Sequence, residues 1–272
     1  MLPLPEKSWV KGIKALTFDV FGTCVDWRSS VERGLKVTAA SKIQSPAFAS
    51  IPPTTQTNAT NMTDDLWAKF AQDWRDSYKI FTHEYVPGES PWKDIDTHHH
   101  DSLLELLAKW GLAGFFSEQE TRQLSLVWHF LDPWPDSSGG IHALSSRFVT
   151  STLSNGNHSL LQDLDRHGQL GFTRLISAAD FKAYKPSPQV YLGAAEMLCL
   201  RPDEVAMVAA HLDDLMAAKQ NGMKTIYVER PEEEDWSPNE EQYQEAKDWV
   251  DMWVTGSEEG FIEVARRLGL RP

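Results

Sequence analysis

The sequence predicts an α/β fold, a Rossmann-like parallel sheet core with a helical cap domain inserted after the first strand. Three observations predict it. Short β-rich runs alternate with helical segments over the second half of the chain, the first run ends in the carboxylate of Asp19 just before a glycine turn, and the interval between the first two runs carries helical patterning with no convincing strand.

Taken in order, the strand candidates are Ile13 to Val20, Arg147 to Leu153, Arg174 to Ser177, Val205 to Ala210 and Thr225 to Val228, with a last one at Met252 to Thr255. Polar or glycine-containing turns follow the first five. Crossover-length spacers between them imply parallel pairing with helices on both faces. Val190, Ala194, Met197 and Leu198 share one face of a helix between Gln189 and Leu200, and Glu258 to Leu268 repeats that pattern. Residues 1–28 and 132–272 therefore form the core, and residues 29–131 the helical cap. Within the cap the helices are Ser30 to Ala40, Asp64 to Thr82, Thr97 to Trp110 and Ser117 to Phe130, with Thr63 and Thr97 able to cap and Gly111 placed where a helix stops. Ser41 to Asn61, rich in Ser, Thr, Pro, Ala and Asn, reads as a mobile loop. The acidic stretch Pro231 to Asp248 reads as a solvated loop and helix.

Composition excludes several classes. The 272 residues, 41% hydrophobic with 11 tryptophans, can bury a sizeable core, which excludes general disorder. A formal charge of −13 argues against nucleic-acid or anionic-membrane partners and requires local cations for any anionic substrate. Two cysteines, Cys24 and Cys199, build no disulfide framework and suit a reducing compartment. No apolar run reaches membrane-spanning length and the N-terminus lacks a secretory pattern, so the expectation is a cytoplasmic protein. His98, His99 and His100 are consecutive, miss the i, i+4 spacing of paired ligands, and point to no metal site.

The ends of the strand candidates hold the chemistry. Asp19 follows the first, Ser154-Asn155-Gly156 the second, Lys185 comes shortly after the third, and His211, Asp213 and Asp214 follow the fourth. Sheet topology brings all of these to one rim. Singly, each has a plainer reading: an aspartate as a turn or cap, Ser-Asn-Gly as a turn, a lysine before proline at the surface. The ordered set is what points to a site. Two residues beyond Asp19 stands Phe21, so the nucleophile candidate has no second aspartate beside it to act as a proton donor.

The segments FDVFGT (18–23), LSNGN (153–157), YKPSPQVY (184–191) and VAAHLDD (208–214) resemble those of the haloacid dehalogenase superfamily, and more narrowly the type II 2-haloacid dehalogenases, over most of the chain from Lys14 to Val228. The resemblance implies hydrolytic dehalogenation of a short 2-haloalkanoic acid to a 2-hydroxy acid, without metal or other cofactor. Asp19 would attack the halogen-bearing carbon and form an ester that water hydrolyses. It further implies that Lys185 stabilises the ionised carboxylate, that Phe21, Thr23, Ser154, Asn155 and Tyr191 line the substrate site, and that Arg75, in a Trp-Arg pair like the family's cap helix, receives the halide. Asp214, with His211, would position or activate water. The implied partners are the small 2-halo acid and halide, with neither nucleic acid nor membrane, and a homodimer is the assembly it admits. The chain departs from the family at Ala209, where serine is usual, at His211, where asparagine is usual, and at Asp213, which replaces an aromatic residue. At His211 the ring could take a proton from water, donate to halide, or pair with Asp213 or Asp214, its neutral form being available near neutral pH. Two further readings stay open: a related hydrolase or tailoring enzyme for a larger organic acid, and a catalytically silent small-molecule-binding homologue. A magnesium-dependent phosphatase is disfavoured by Phe21 and by alanine where the fourth-strand motif begins its aspartates.

Overall fold

Near-continuous apolar runs form the strands in a computed structural model that describes residues 8–271; residues 1–7 of the first core segment and residue 272 lie outside the described residues. In chain order the elements are β1 (Ala15–Phe18), β2 (Val25–Asp26), α1 (Trp27–Gln44), α2 (Pro53–Thr60), α3 (Asp64–Glu84), α4 (Ile95–Lys109), α5 (Glu118–Ser125) and β3 (Asp132–Pro133). There follow α6 (Ser137–Ser145), β4 (Val149–Ser154), α7 (His158–His167), β5 (Arg174–Ser177), α8 (Pro188–Met197), β6 (Val205–Ala209), α9 (Leu212–Gln220), β7 (Lys224–Val228), α10 (Glu241–Trp249), β8 (Met252–Val254) and α11 (Gly260–Arg267). The chain divides into two units, one made of the described residues through Asp26 and from Asp132 onward, the other of Trp27–Leu131.

In the first unit six strands pair in the order β5-β4-β1-β6-β7-β8, and every pairing is parallel. Renumbered by position among these six, the order is 3-2-1-4-5-6, that of a doubly wound dinucleotide-type fold. Ala15 lies beside Val149 on one side and Val205 on the other, so β1 is central. All four residues of β1 and all five of β6 are buried, as a strand covered by helices on both faces must be. The strand order reverses between β1 and β6, which makes the ends of those two strands the place where this topology opens a ligand crevice. β2 and β3 form a separate antiparallel ribbon, Val25 facing Pro133.

The loop after β7 is tied to the turn after β1. Arg230 donates from Nε to the Thr23 carbonyl at 3.0 Å, and its two terminal nitrogens take both oxygens of Asp136 at 2.7 and 2.8 Å. Asp136 also accepts the Phe261 amide at 2.7 Å. Gly260 is required here, because its φ is +48° and a β-carbon would fall 2.2 Å from the Asp136 carboxylate. Such a planar two-point pair, Arg230 and Asp136 both largely desolvated, fixes geometry better than a single point charge could.

The second unit is all helical. Its core is aromatic: Trp27 stacks on Trp128, Trp74 meets Trp128 edge-on, and His99 stacks on Trp128. The expected mobile loop at Ser41 to Asn61 is wrong. The first helix runs on to Gln44, a 3-10 turn spans Pro46–Ser50, and α2 follows. Ile51, Thr55 and Ala59 are buried, and Asn58 donates to the Gly111 carbonyl at 3.0 Å, so small polar residues here serve close helix packing. Thr63 caps α3 as expected, but Asp94 rather than Thr97 caps α4, accepting the Thr97 amide. The helix from Ser117 stops at Ser125 and tightens into a 3-10 turn over Leu126–His129. Among the described residues no helix is long and apolar enough to cross a membrane.

Candidate active site

Asp19 sits one residue past β1, its backbone amide held by the Val208 carbonyl of β6 at 3.0 Å, the residue only 7% exposed. The turn that follows needs Gly22, at φ +79°. Three donors converge on the Asp19 carboxylate. Lys185 Nζ reaches Oδ1 at 2.8 Å, and Oδ2 faces both the Thr23 hydroxyl at 2.7 Å and His211 Nδ1 at 3.0 Å. Burial pushes this carboxyl upward, but Lys185 and His211 outweigh it and hold the group well below the usual carboxylate range. It is an ionised carboxylate kept ready in a nearly dry position.

Lys185 bridges two acids, with Asp214 Oδ2 at 2.7 Å on its other side. Burial alone would discharge it; Asp19 and Asp214 instead raise it above the ordinary lysine range. Asp214, in the first turn of α9, is pushed up by burial against the pull of Lys185, and Tyr191 donates its hydroxyl to Oδ1 at 2.6 Å. The tyrosine is therefore more than a packing residue. Asn155 accepts the Lys185 backbone amide on Oδ1 at 2.8 Å, which leaves its side-chain NH2 without a partner among the described residues.

Two expected substrate contacts prove to be internal. Thr23 is fully buried, gives its proton to Asp19, and accepts the Ala210 amide at 2.9 Å, so its hydroxyl orients the carboxylate. Ser154 is also fully buried and its oxygen caps the Gly156 amide at 3.2 Å. Phe21 is 2% exposed, and its ring edge would stand 3.4 Å from a β-carbon at Gly156. Arg75 belongs to the helical unit, on α3. It is buried, with its guanidinium 4.8 Å from the Tyr78 ring centre and 5.5 Å from that of Trp27. On the same helix Asp73 accepts from Lys109 Nζ and the Trp110 indole, and Asp76 accepts from the Gln72 side-chain amide.

His211 departs most from expectation. It pairs with neither Asp213, which is exposed and accepts the Asp214 amide, nor Asp214. Nδ1 faces Asp19 and Nε2 faces Glu233 Oε2 at 3.3 Å. Burial disfavours the imidazolium, but these two carboxylates outweigh it and the ring is pushed up to about 10, so the neutral form is not the resting state near pH 7. The folded value lies above the unfolded one of 6.5, so this stabilisation is complete below about pH 6.5 and is lost as pH rises through about 10. Melting temperatures should fall over that window more steeply in the wild type than in His211→Asn, and parallel curves would contradict the charged pair.

Glu233 was hidden in the acidic run read as solvated. It is 5% exposed. The missing clue is pairwise: a β-carbon at Gly22 would lie 1.9 Å from Glu233 Oε2, so the glycine opens the path by which this side chain enters. Its neighbour Glu234 accepts the amides of Leu212 and Trp236, both at 2.8 Å, and binds the loop to the start of α9.

A carboxylate held between a lysine and a histidinium at the switch point of a doubly wound sheet is a nucleophile site of the hydrolase kind. The chain belongs to the haloacid dehalogenase-like hydrolase family, whose model matches residues 13–222. It is similar to (S)-2-haloacid dehalogenase 1 of Pseudomonas sp. (strain CBS-3), at 36% identity over 122 residues, which is 43% of this chain and 54% of that protein. The chain thus matches about half the length of that relative. A solved L-2-haloacid dehalogenase aligns at 35% identity and a TM-score of 0.74, covering 94% of this chain and 99% of that one. A defluorinating L-2-haloacid dehalogenase aligns at 29% identity and a TM-score of 0.75, covering 94% and 95%.

Proposed function

We propose that the protein hydrolyses the carbon–halide bond of short 2-haloalkanoic acids, giving 2-hydroxy acids through an ester on Asp19 and without a metal ion. The observation that carries this reading is the Asp19 carboxylate, ionised and clamped by Lys185 and His211 while Phe21 occupies the position where a phosphate-handling turn needs a second acid. One Asp19 oxygen attacks the carbon bearing the halogen, the carbon–halogen bond breaks with its electron pair, and halide leaves. Alkylation needs no proton donor on the nucleophile, which suits a site whose neighbours are already fully charged. Asn155, with its free NH2, and Lys185 hold the substrate carboxylate; Arg75 of the helical unit receives the halide; Asp214, anchored by Tyr191, keeps Lys185 in place. Both cysteines are free, in keeping with a cytoplasmic location.

Incubation with 2-chloropropanoate should release chloride and lactate in equal amounts, with no turnover of a phosphate monoester with or without Mg²⁺. Phosphate release without halide release would overturn the reading.

A further inference from the structure

We propose that Glu233 is a positioning residue for ester hydrolysis: it holds the His211 ring by Nε2 so that Nδ1 takes the proton from the water that attacks the Asp19 ester. This rests on the dehalogenation reading above and adds the step in which the enzyme is regenerated.

The geometry sets the tautomer. A carboxylate 3.3 Å from Nε2 accepts that N–H, so when the ring carries a single proton the lone pair lies on Nδ1, the nitrogen 3.0 Å from Asp19. In the resting enzyme Nδ1 is protonated because it faces the Asp19 charge. Alkylation removes that charge, the Nδ1 proton goes to solvent, and Nδ1 becomes a base beside the ester carbonyl. Water gives it a proton while its oxygen bonds to the Asp19 carboxyl carbon. The tetrahedral intermediate then breaks its bond to the alkyl oxygen, and its own hydroxyl proton passes to the leaving alkoxide. Asp19 is again a carboxylate, the product is the 2-hydroxy acid, and His211 is again charged. One proton is released in each cycle, matching halide. The other charged groups around the ring are Lys185 and Asp214 beyond Asp19, Asp213 on α9, and Glu234 on the loop after β7.

Glu233 is built into this place. Gly22 clears its path, Arg230 anchors its loop to the Thr23 carbonyl and Asp136, and Glu234 ties the next residue to the Leu212 amide.

The test is a double-mutant cycle on Glu233→Gln and His211→Asn with 2-chloropropanoate, read by rapid-quench chloride release and intact mass. In Glu233→Gln the first chloride per enzyme should appear at close to the wild-type rate while kcat falls about 10- to 100-fold and the Asp19 adduct accumulates. Without Glu233 the alkylated enzyme's histidine is less basic, so its limb of the kcat profile should move to lower pH. The double variant should be no slower than His211→Asn alone. Additive losses, an unchanged kcat, or equal loss of the first turnover and the steady state would overturn the proposal. A wild type that releases no halide removes the chemistry on which it rests, and is recognised before any variant is made.

Discussion

Asp19→Asn should abolish turnover, with kcat down by at least about 10⁴-fold, or about 5.4 kcal/mol of barrier, and no covalent adduct by intact mass. The substitution keeps the shape of the side chain and removes the charge. An amide attacks saturated carbon poorly, and the three groups aimed at Asp19 lose the anion they were arranged for: Lys185 keeps Asp214, His211 keeps Glu233, and Thr23 keeps an oxygen acceptor. The fold should therefore survive with a melting temperature close to that of the wild type, which separates a chemical loss from a structural one. A single turnover of the wild type in ¹⁸O-labelled water should place the label in Asp19 before it reaches product, because water attacks the carboxyl carbon. Label appearing directly in the 2-hydroxy acid would mean that water, not Asp19, displaces the halide.

The legible parts of this molecule are those in which local sequence and tertiary environment ask for the same residue. The β1 and β6 runs are apolar because both faces are covered, and the residues at their ends reveal the rim, so Asp19, Lys185 and Asp214 could be read together. Ser41 to Asn61 misled because small polar residues suit a loop and also suit close helix packing; only the burial of Thr55 and Ala59 decides between them. Thr23 and Ser154 were expected to line the substrate site, yet whether a hydroxyl faces substrate or backbone depends on a rotation of the side chain that spacing does not record. Glu233 was illegible for a different reason. Its meaning depends on Gly22, more than two hundred positions earlier, and an acidic run carries no mark of which carboxylate turns inward. His211 followed from that gap, since a ring facing one carboxylate differs in charge behaviour from a ring between two.

Lys185→Met should affect both stability and activity. Removing one partner of a buried ion pair leaves uncompensated charge, at a cost of about 3–5 kcal/mol, and here Lys185 separates two carboxylates, Asp19 at 2.8 Å and Asp214 at 2.7 Å. Without it they cannot both remain ionised at their present burial. Asp214, already pushed upward by burial, takes the proton, while Asp19 keeps His211 and Thr23 but loses its largest lowering influence. The sign of the pH dependence follows. A carboxylate depressed in the folded state contributes stability above its unfolded value, near 3.8, and loses it as pH falls through the folded value; the variant lacks that contribution, so its deficit relative to the wild type should be largest near neutral pH and shrink in acid. Activity should fall about 10²- to 10⁴-fold, and the acid limb of kcat/KM, which reports the free enzyme, should move to higher pH as Asp19 becomes easier to protonate. Lys185→Arg tests the alternative that any cation suffices. The longer planar guanidinium cannot place one nitrogen between two oxygens that a single ammonium now bridges, so it should restore much of the stability and little of the rate. Full recovery of rate in Lys185→Arg would mean that the positive charge, and not its position between Asp19 and Asp214, is what the reaction uses.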